Sequence, residues 1–164
     1  MTLATVLTLL VVYQLKHFLA DYPLQTQYML GKFRPGWEFV KPLTGHAGVH
    51  ALFTYWIVLI YSWSFTMAVA LALFDFTVHF VMDRIKAGPR YLGRFHALSA
   101  TEYSNMQAYL RDEEGMSALY GKIPAGAAKK AIRDNRFFWW ALGFDQMVHH
   151  LTHYAIIFIL LIND

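Results

Sequence analysis

His17 and Asp21, His46 and His50, Asp75 with His79 and Asp83, and Asp145 with His149 and His153 recur at i, i+4 spacing inside four apolar stretches of this chain. On an α-helix that spacing stacks side chains on one face, one turn apart. Imidazole and carboxylate donors are ligands of Zn, Fe and Mn, and helical pairs of them can grip one ion. An ion held by three protein groups, with one position open, polarises a substrate and activates water, the chemistry of metal-dependent hydrolysis. A charged residue at the centre of a membrane-length run costs about 2.5–3.5 kcal/mol on insertion scales, so it usually faces a partner or a cavity. Four runs that each carry this cost point to one shared polar site.

Within that set, His17, Asp21, His46, His50, His79, Asp83 and His149 are the candidate metal ligands, with Zn as the first choice of ion. Asp75 and Asp145 are the candidate catalytic carboxylates, Asp75 as a general base and Asp145 within ligand reach. Gln25, Lys86 and Gln146 are candidates for positioning a substrate, and Lys16 and Arg84 join Lys86 at the rim as possible holders of a phosphate or headgroup. Asp21 stands at the unfavourable end of its helix dipole and needs a compensating cation, either Lys32 or a metal. His153, the deepest, is as readily a packed neutral ring as a ligand. Each group also has a plainer reading. A lone His near a span end is usually an interfacial hydrogen-bonding residue, as His96 is taken to be, and interhelical polar contacts alone can hold a bundle together.

The elements that must position these groups are membrane helices. The 164 residues suffice for one domain, 1–164, and 57% are hydrophobic while only 15% are charged. Soluble domains are nearer a quarter charged. Spans are expected at about 3–20, 43–63, 65–82 and 137–162, each near the ~20 residues that cross a hydrocarbon core. The fold class is therefore all-α, a four-transmembrane-helix bundle. The first span lacks a basic n-region and a small-x-small cleavage site, so it reads as a retained helix. Few residues separate the second and third spans, which predicts a tight antiparallel hairpin. With no cysteine, thiolate ligands and disulfides are excluded.

The two longer loops, 21–42 and 84–136, are basic, and the positive-inside rule places both in the cytoplasm and both termini outside. The expected location is a bacterial inner membrane. Trp37, Trp63, Trp139 and Trp140 fall near span ends, as interfacial Trp does. Within the long loop, Ser99 to Glu102 reads as a capping box opening a helix to about Arg111, and Pro124 suits the first turn of another through about Asn135. These make a small helical cytoplasmic insert, 91–135. Its basic residues are interrupted by Asp112, Glu113, Glu114 and Asp134, so no nucleic-acid partner is expected.

With that topology the polar groups all fall in the cytoplasmic halves of the spans, at depths that overlap within roughly 10 Å at ~1.5 Å per residue. Thr2–Val12, Phe53–Ile60 and Ile156–Ile162 leave the outer halves almost without ionisable groups. A His/Asp pocket opening to the cytoplasm follows, and a through-going pore in one protomer does not.

The stretch from His17 to Gln25, HFLADYPLQ, resembles the opening signature of a family of small polytopic membrane proteins from bacteria and their phages, known as a domain of unknown function. The resemblance continues through Lys32, His46-x3-His50, His79-Phe-x-x-Asp83-x-x-Lys86 and Asp145-Gln146-x-x-His149, and leaves out the segment from about Tyr91 to Asn135. It implies a membrane protein with a polar His/Asp core and no established activity. The pattern is also similar, more distantly, to membrane-embedded metal-dependent hydrolases, although no H-E-x-x-H is present. The expected function is an integral-membrane metal-dependent hydrolase acting on an amphiphilic substrate at the cytoplasmic leaflet. Its partners are membrane lipid and, in a homo-oligomer, further copies of the chain. The alternatives are a proton- or ion-linked transport protein, and a non-catalytic membrane module that recruits a partner through its basic insert.

Overall fold

The computed structural model describes residues 2–34, 36–87 and 136–163. Among these, the regular elements are all helices, with no strand: α1 (Leu3–Asp21), a 3-10 helix (Met29–Phe33), α2 (Val40–Ser62), α3 (Phe65–Ala87) and α4 (Arg136–Ile162). The expected insert, 91–135, lies outside the described residues.

Local chemistry sets the helix ends. Thr2 caps α1 by accepting the Thr5 amide on Oγ1 at 3.3 Å. Pro23 follows the end of α1, and Pro42 falls in the first turn of α2, where its missing N–H costs little. The α2–α3 hairpin is as tight as the spacing predicts, with only Trp63 and Ser64 between the helices. Trp63 turns the chain in a left-handed conformation, φ 53°. Ser64 then caps α3, its Oγ accepting the Met67 amide at 3.3 Å.

α1, α2 and α3 are long and apolar enough to cross a membrane. α4 is the longest helix described, at 27 residues. Its hydropathy is lowered by Asp145, Gln146, His149, His150 and His153, yet Asp145, His149 and His153 are buried while Phe144, Met147, Leu151, Tyr154 and Phe158 are exposed. The exposed surface of all four helices is thus apolar, the inverse of a water-soluble bundle.

α3 packs on both α2 and α4, and α1 touches α2 and α4, so the four helices surround one interior. One end of that interior is apolar: Leu9, Tyr13, Val58, Ala68, Leu71, Ile156, Ile157 and Leu160 form a single cluster. At this end lie the start of α1, the α2–α3 turn and the end of α4. The opposite half is filled by charged and imidazole side chains.

Candidate metal centre

The inward face of each helix is written in its spacing. On α1 it carries Leu9, Tyr13, Lys16, His17 and Ala20; on α2 Leu43, His46, Ala47, His50, Thr54 and Val58. On α3 it carries Ala68, Leu71, Ala72, Asp75, His79 and Asp83, and on α4 Ala141, Asp145, His149, His153 and Ile156. Each polar group therefore continues an apolar stripe, and the bundle's packing brings the polar groups together.

Farthest from the apolar cluster lies a carboxylate layer. Asp21 meets three imidazoles: Nε2 of His17 is 3.1 Å from Oδ2, and Nε2 of His46 and His50 are 3.3 and 3.0 Å from Oδ1. Asp83 receives His46 Nε2 at 3.1 Å and Lys32 Nζ at 2.9 Å, both on Oδ2. Asp145 has His149 Nε2 at 3.3 Å from Oδ1 and Lys86 Nζ at 2.6 Å from Oδ2. Gln146 ties this layer to α1, its Oε1 accepting from His17 Nε2 at 2.8 Å while its Nε2 donates to Asp145 Oδ2 at 3.2 Å.

Beneath it is a column of imidazoles. The rings of His50 and His79 stack with centroids 3.8 Å apart, and those of His79 and His149 at 4.0 Å. Deeper still, Asp75 accepts Lys16 Nζ at 2.7 Å and Thr54 Oγ1 at 2.6 Å on the same oxygen, and Lys16 also reaches His153 Nε2 at 3.1 Å.

The sequence-derived candidates fall out as follows. His17, Asp21, His46, His50, His79, Asp83, Asp145, His149, Gln146 and Lys86 converge on these layers, and Asp75 and His153 lie directly below. Gln25 does not join them: it sits half-buried in the loop after α1, and its side chain makes no hydrogen bond with the cluster. Lys16 is not at the rim. It is 2% exposed and points away from the loops, because helical side chains lean toward the helix N-terminus and the start of α1 is at the apolar end. Arg84 is at the surface, its guanidinium stacked 3.6 Å above the Phe39 ring. Lys32 pairs with Asp83, and three imidazoles face Asp21. Thr54 was not singled out from the sequence, although it lies one turn beyond His50 on the same face.

Four groups of three donors are close enough to share an ion, with all donor atoms of a group within 4.8 Å of one another: His17, His50 and His79; Asp21, His46 and His50; Asp75, His79 and His153; and Asp83, Asp145 and His149. Two donors on a tetrahedral zinc, each ~2.0–2.1 Å from it, lie ~3.3 Å apart. The imidazole–carboxylate separations of 3.0–3.3 Å around Asp21 and Asp145 match that spacing. Among the described residues, seven buried ring nitrogens lack a hydrogen-bond partner: Nδ1 of His17, His46, His50, His149 and His153, and Nε2 of His46 and His79. Buried polar atoms are normally satisfied, and orphans gathered in one place mark a site built for something more. For His46 Nε2 two carboxylates stand within 3.3 Å, but neither is aligned for a hydrogen bond, so proximity there is not bonding.

The fold and site define an all-helical protein with membrane-length helices around a buried His/Asp/Lys cluster. The chain belongs to the family described as protein of unknown function DUF3307, whose model matches residues 6–113. That match takes in α1 to α3 and runs into the segment that the sequence resemblance left out, while α4 lies beyond it. No curated protein and no solved structure matched the chain.

Proposed function

We propose that this chain is an integral-membrane metalloprotein of a bacterial inner membrane, and that it hydrolyses an amphiphilic substrate at the cytoplasmic leaflet. The observation that carries the reading is the convergence of imidazole and carboxylate donors from four helices into groups whose donor atoms lie within 4.8 Å of one another. Charge is compatible with it: Lys16, Lys32 and Lys86 face Asp21, Asp75, Asp83 and Asp145, which leaves one carboxylate more than ammonium groups. Asp21, His46 and His50 would hold one ion and Asp83, Asp145 and His149 a neighbouring one, with His46 Nε2 3.1 Å from Asp83 linking the two. Such an ion supplies Lewis acidity and an activated water.

α4 is read as the fourth span. At ~1.5 Å per residue it is about 40 Å long, and its exposed face is apolar. The basic loops favour an orientation with the polar end toward the cytoplasm. At that end, a cavity of about 310 Å³ between α3 and α4 is lined by Met82, Ile85, Trp140, Ala141 and Phe144, with Lys86 and Asp145 as its polar residues. That lining suits an acyl chain, with an anionic headgroup against Lys86. Asp145 both borders the cavity and belongs to the donor layer, so it is the carboxylate placed to touch substrate. Its Oδ1 has no hydrogen-bond partner, while Lys86 holds Oδ2. Proton-linked transport is the weaker reading, because the polar ladder stops at the Leu9–Tyr13–Ile156 cluster.

Elemental analysis of the detergent-purified protein, beside His46→Ala and His149→Ala, tests the metal. One or two equivalents of Zn, Fe or Mn, lost in both folded variants, are expected; a folded protein that stays metal-free after reconstitution with each ion overturns the reading. Incubation of the loaded protein with mixed phospholipid vesicles, read by mass spectrometry for cleaved lipid, tests the hydrolase, with Asp145→Asn as the inactive control.

A further inference from the structure

One of the four donor groups differs from the others. Asp75, His79 and His153 have the spacing of a metal site, but here one ammonium is bonded to both a carboxylate and an imidazole nitrogen of the group, whereas in the Asp83–Asp145–His149 group Lys32 and Lys86 are bonded to carboxylate oxygens. Lys16 Nζ lies 2.7 Å from Asp75 Oδ2 and 3.1 Å from His153 Nε2, and Lys16, Asp75, His79 and His153 are each at most 2% exposed. An ammonium has only donors, so His153 Nε2 must accept, which commits its lone pair to Lys16. Thr54 Oγ1 donates to the same Asp75 oxygen at 2.6 Å.

His79 is oriented from this corner. Its Nδ1 is 3.0 Å from the Asp75 carbonyl oxygen and 3.1 Å from the Asp75 carboxylate Oδ1, with the aligned hydrogen bond going to the carbonyl. Both neighbours are acceptors, so Nδ1 carries the proton and Nε2 keeps a lone pair, buried and without a partner. A ligating His is typically fixed in this way, by its second nitrogen bonded to a carbonyl or carboxylate.

We propose that the Lys16 ammonium is a built-in cation that closes the Asp75–His79–His153 corner to metal, while the main-chain carbonyl of Asp75 holds His79 with Nε2 toward the donor layer shared with His17 and His50. This deepens the metal reading and rests on it for the role of His79. The closure of the corner stands on the Lys16 contacts themselves. The Asp75 carboxylate, whose Oδ2 takes hydrogen bonds from Lys16 and Thr54, is the counter-charge that keeps the ammonium there.

The test is Co²⁺ stoichiometry and the cobalt absorption spectrum of the full-length protein in detergent. Lys16→Met is expected to bind one equivalent more than wild type, and Lys16→Met combined with His153→Ala to lose that extra equivalent. Lys16→Met with Asp75→Asn, which removes both charges together, is expected to return to the wild-type stoichiometry, because the opened corner has then lost its carboxylate donor. His153→Ala alone, which keeps Lys16, is expected to leave cobalt stoichiometry unchanged; loss of an equivalent there overturns the proposal even if Lys16→Met fails to fold. An unchanged stoichiometry in folded Lys16→Met also overturns it. A wild type without cobalt, beside a Lys16→Met variant that binds one equivalent through His153, would refute the donor-layer reading while upholding the closed corner.

Discussion

His50 of α2 and His79 of α3 lie face to face, with ring centroids 3.8 Å apart and planes within 30°. Two imidazolium rings at that separation would repel strongly in a dry interior, so the stack requires at least one neutral ring. Neutral imidazole is also the form that binds metal, which couples ion retention to pH. Protons and metal compete for the same lone pairs, so affinity falls as pH falls. Dialysis of the loaded protein is expected to retain the ion at pH 8 and to release it progressively as the pH is lowered. Retention that does not change with pH would count against imidazole ligation.

Thr54 and Asp75 test the deep polar contact apart from the metal layer. Thr54→Val keeps the shape and removes one hydrogen bond to a buried carboxylate oxygen. A loss of about 1–2 kcal/mol is expected in thermal denaturation in detergent, within the range for hydrogen bonds to charged groups and for polar contacts between membrane helices. Metal affinity should stay near that of the wild type, because His79 is held by the Asp75 main-chain carbonyl. A loss of affinity of about 10-fold or more would show that the Asp75 carboxylate orients a ligand.

Much of this arrangement is legible in the sequence because a helix face repeats every three to four residues. His46, His50, Asp75, His79, Asp83, Asp145 and His149 can be read as one inward stripe per helix, and the two residues between α2 and α3 fix the hairpin. Lys16 was misplaced for a reason that spacing cannot supply. Its Cα is level with His17, but its long stem leans toward the start of α1 and carries the ammonium down to Asp75. The Lys32–Asp83 contact could not be read from spacing, because Lys32 comes from a 3-10 helix, where no α-helical period applies. Gln25 is near His17 and Asp21 in sequence but lies past the end of α1, where the helical period no longer holds.

That loop contact is itself testable. Gly31 packs so closely on α2 that an added Cβ would come 2.8 Å from Pro42 Cγ, which lets the next residue, Lys32, reach Asp83. Lys32→Met leaves the Asp83 carboxylate buried without its ammonium, and removal of one partner of a buried pair costs about 3–5 kcal/mol. Lys32→Met with Asp83→Asn should recover much of the stability but not the metal, since Asp83 is also a donor. Thermal denaturation and elemental analysis of the same preparations separate the two roles. A stable double variant that has lost the ion of the Asp83–Asp145–His149 group is the expected result, and one with the wild-type metal content would remove Asp83 from the ligand set.

Trp63 carries a conformational cost remote from the site. It ends α2 at φ 53°, a region that favours glycine, and its ring is almost wholly exposed. In detergent, Trp63→Gly should relieve about 1 kcal/mol of left-handed strain and raise the melting temperature. In a bilayer the exposed ring at the hairpin tip has interfacial headgroups to rest against, as Trp at span ends does. The expected outcome is therefore opposite in sign in the two solvents: Trp63→Gly stabilises the detergent-solubilised protein and destabilises it in lipid nanodiscs. Stabilisation of the same size in both would show that the α2–α3 turn does not rest at a membrane surface, and would reopen how the bundle sits in the bilayer.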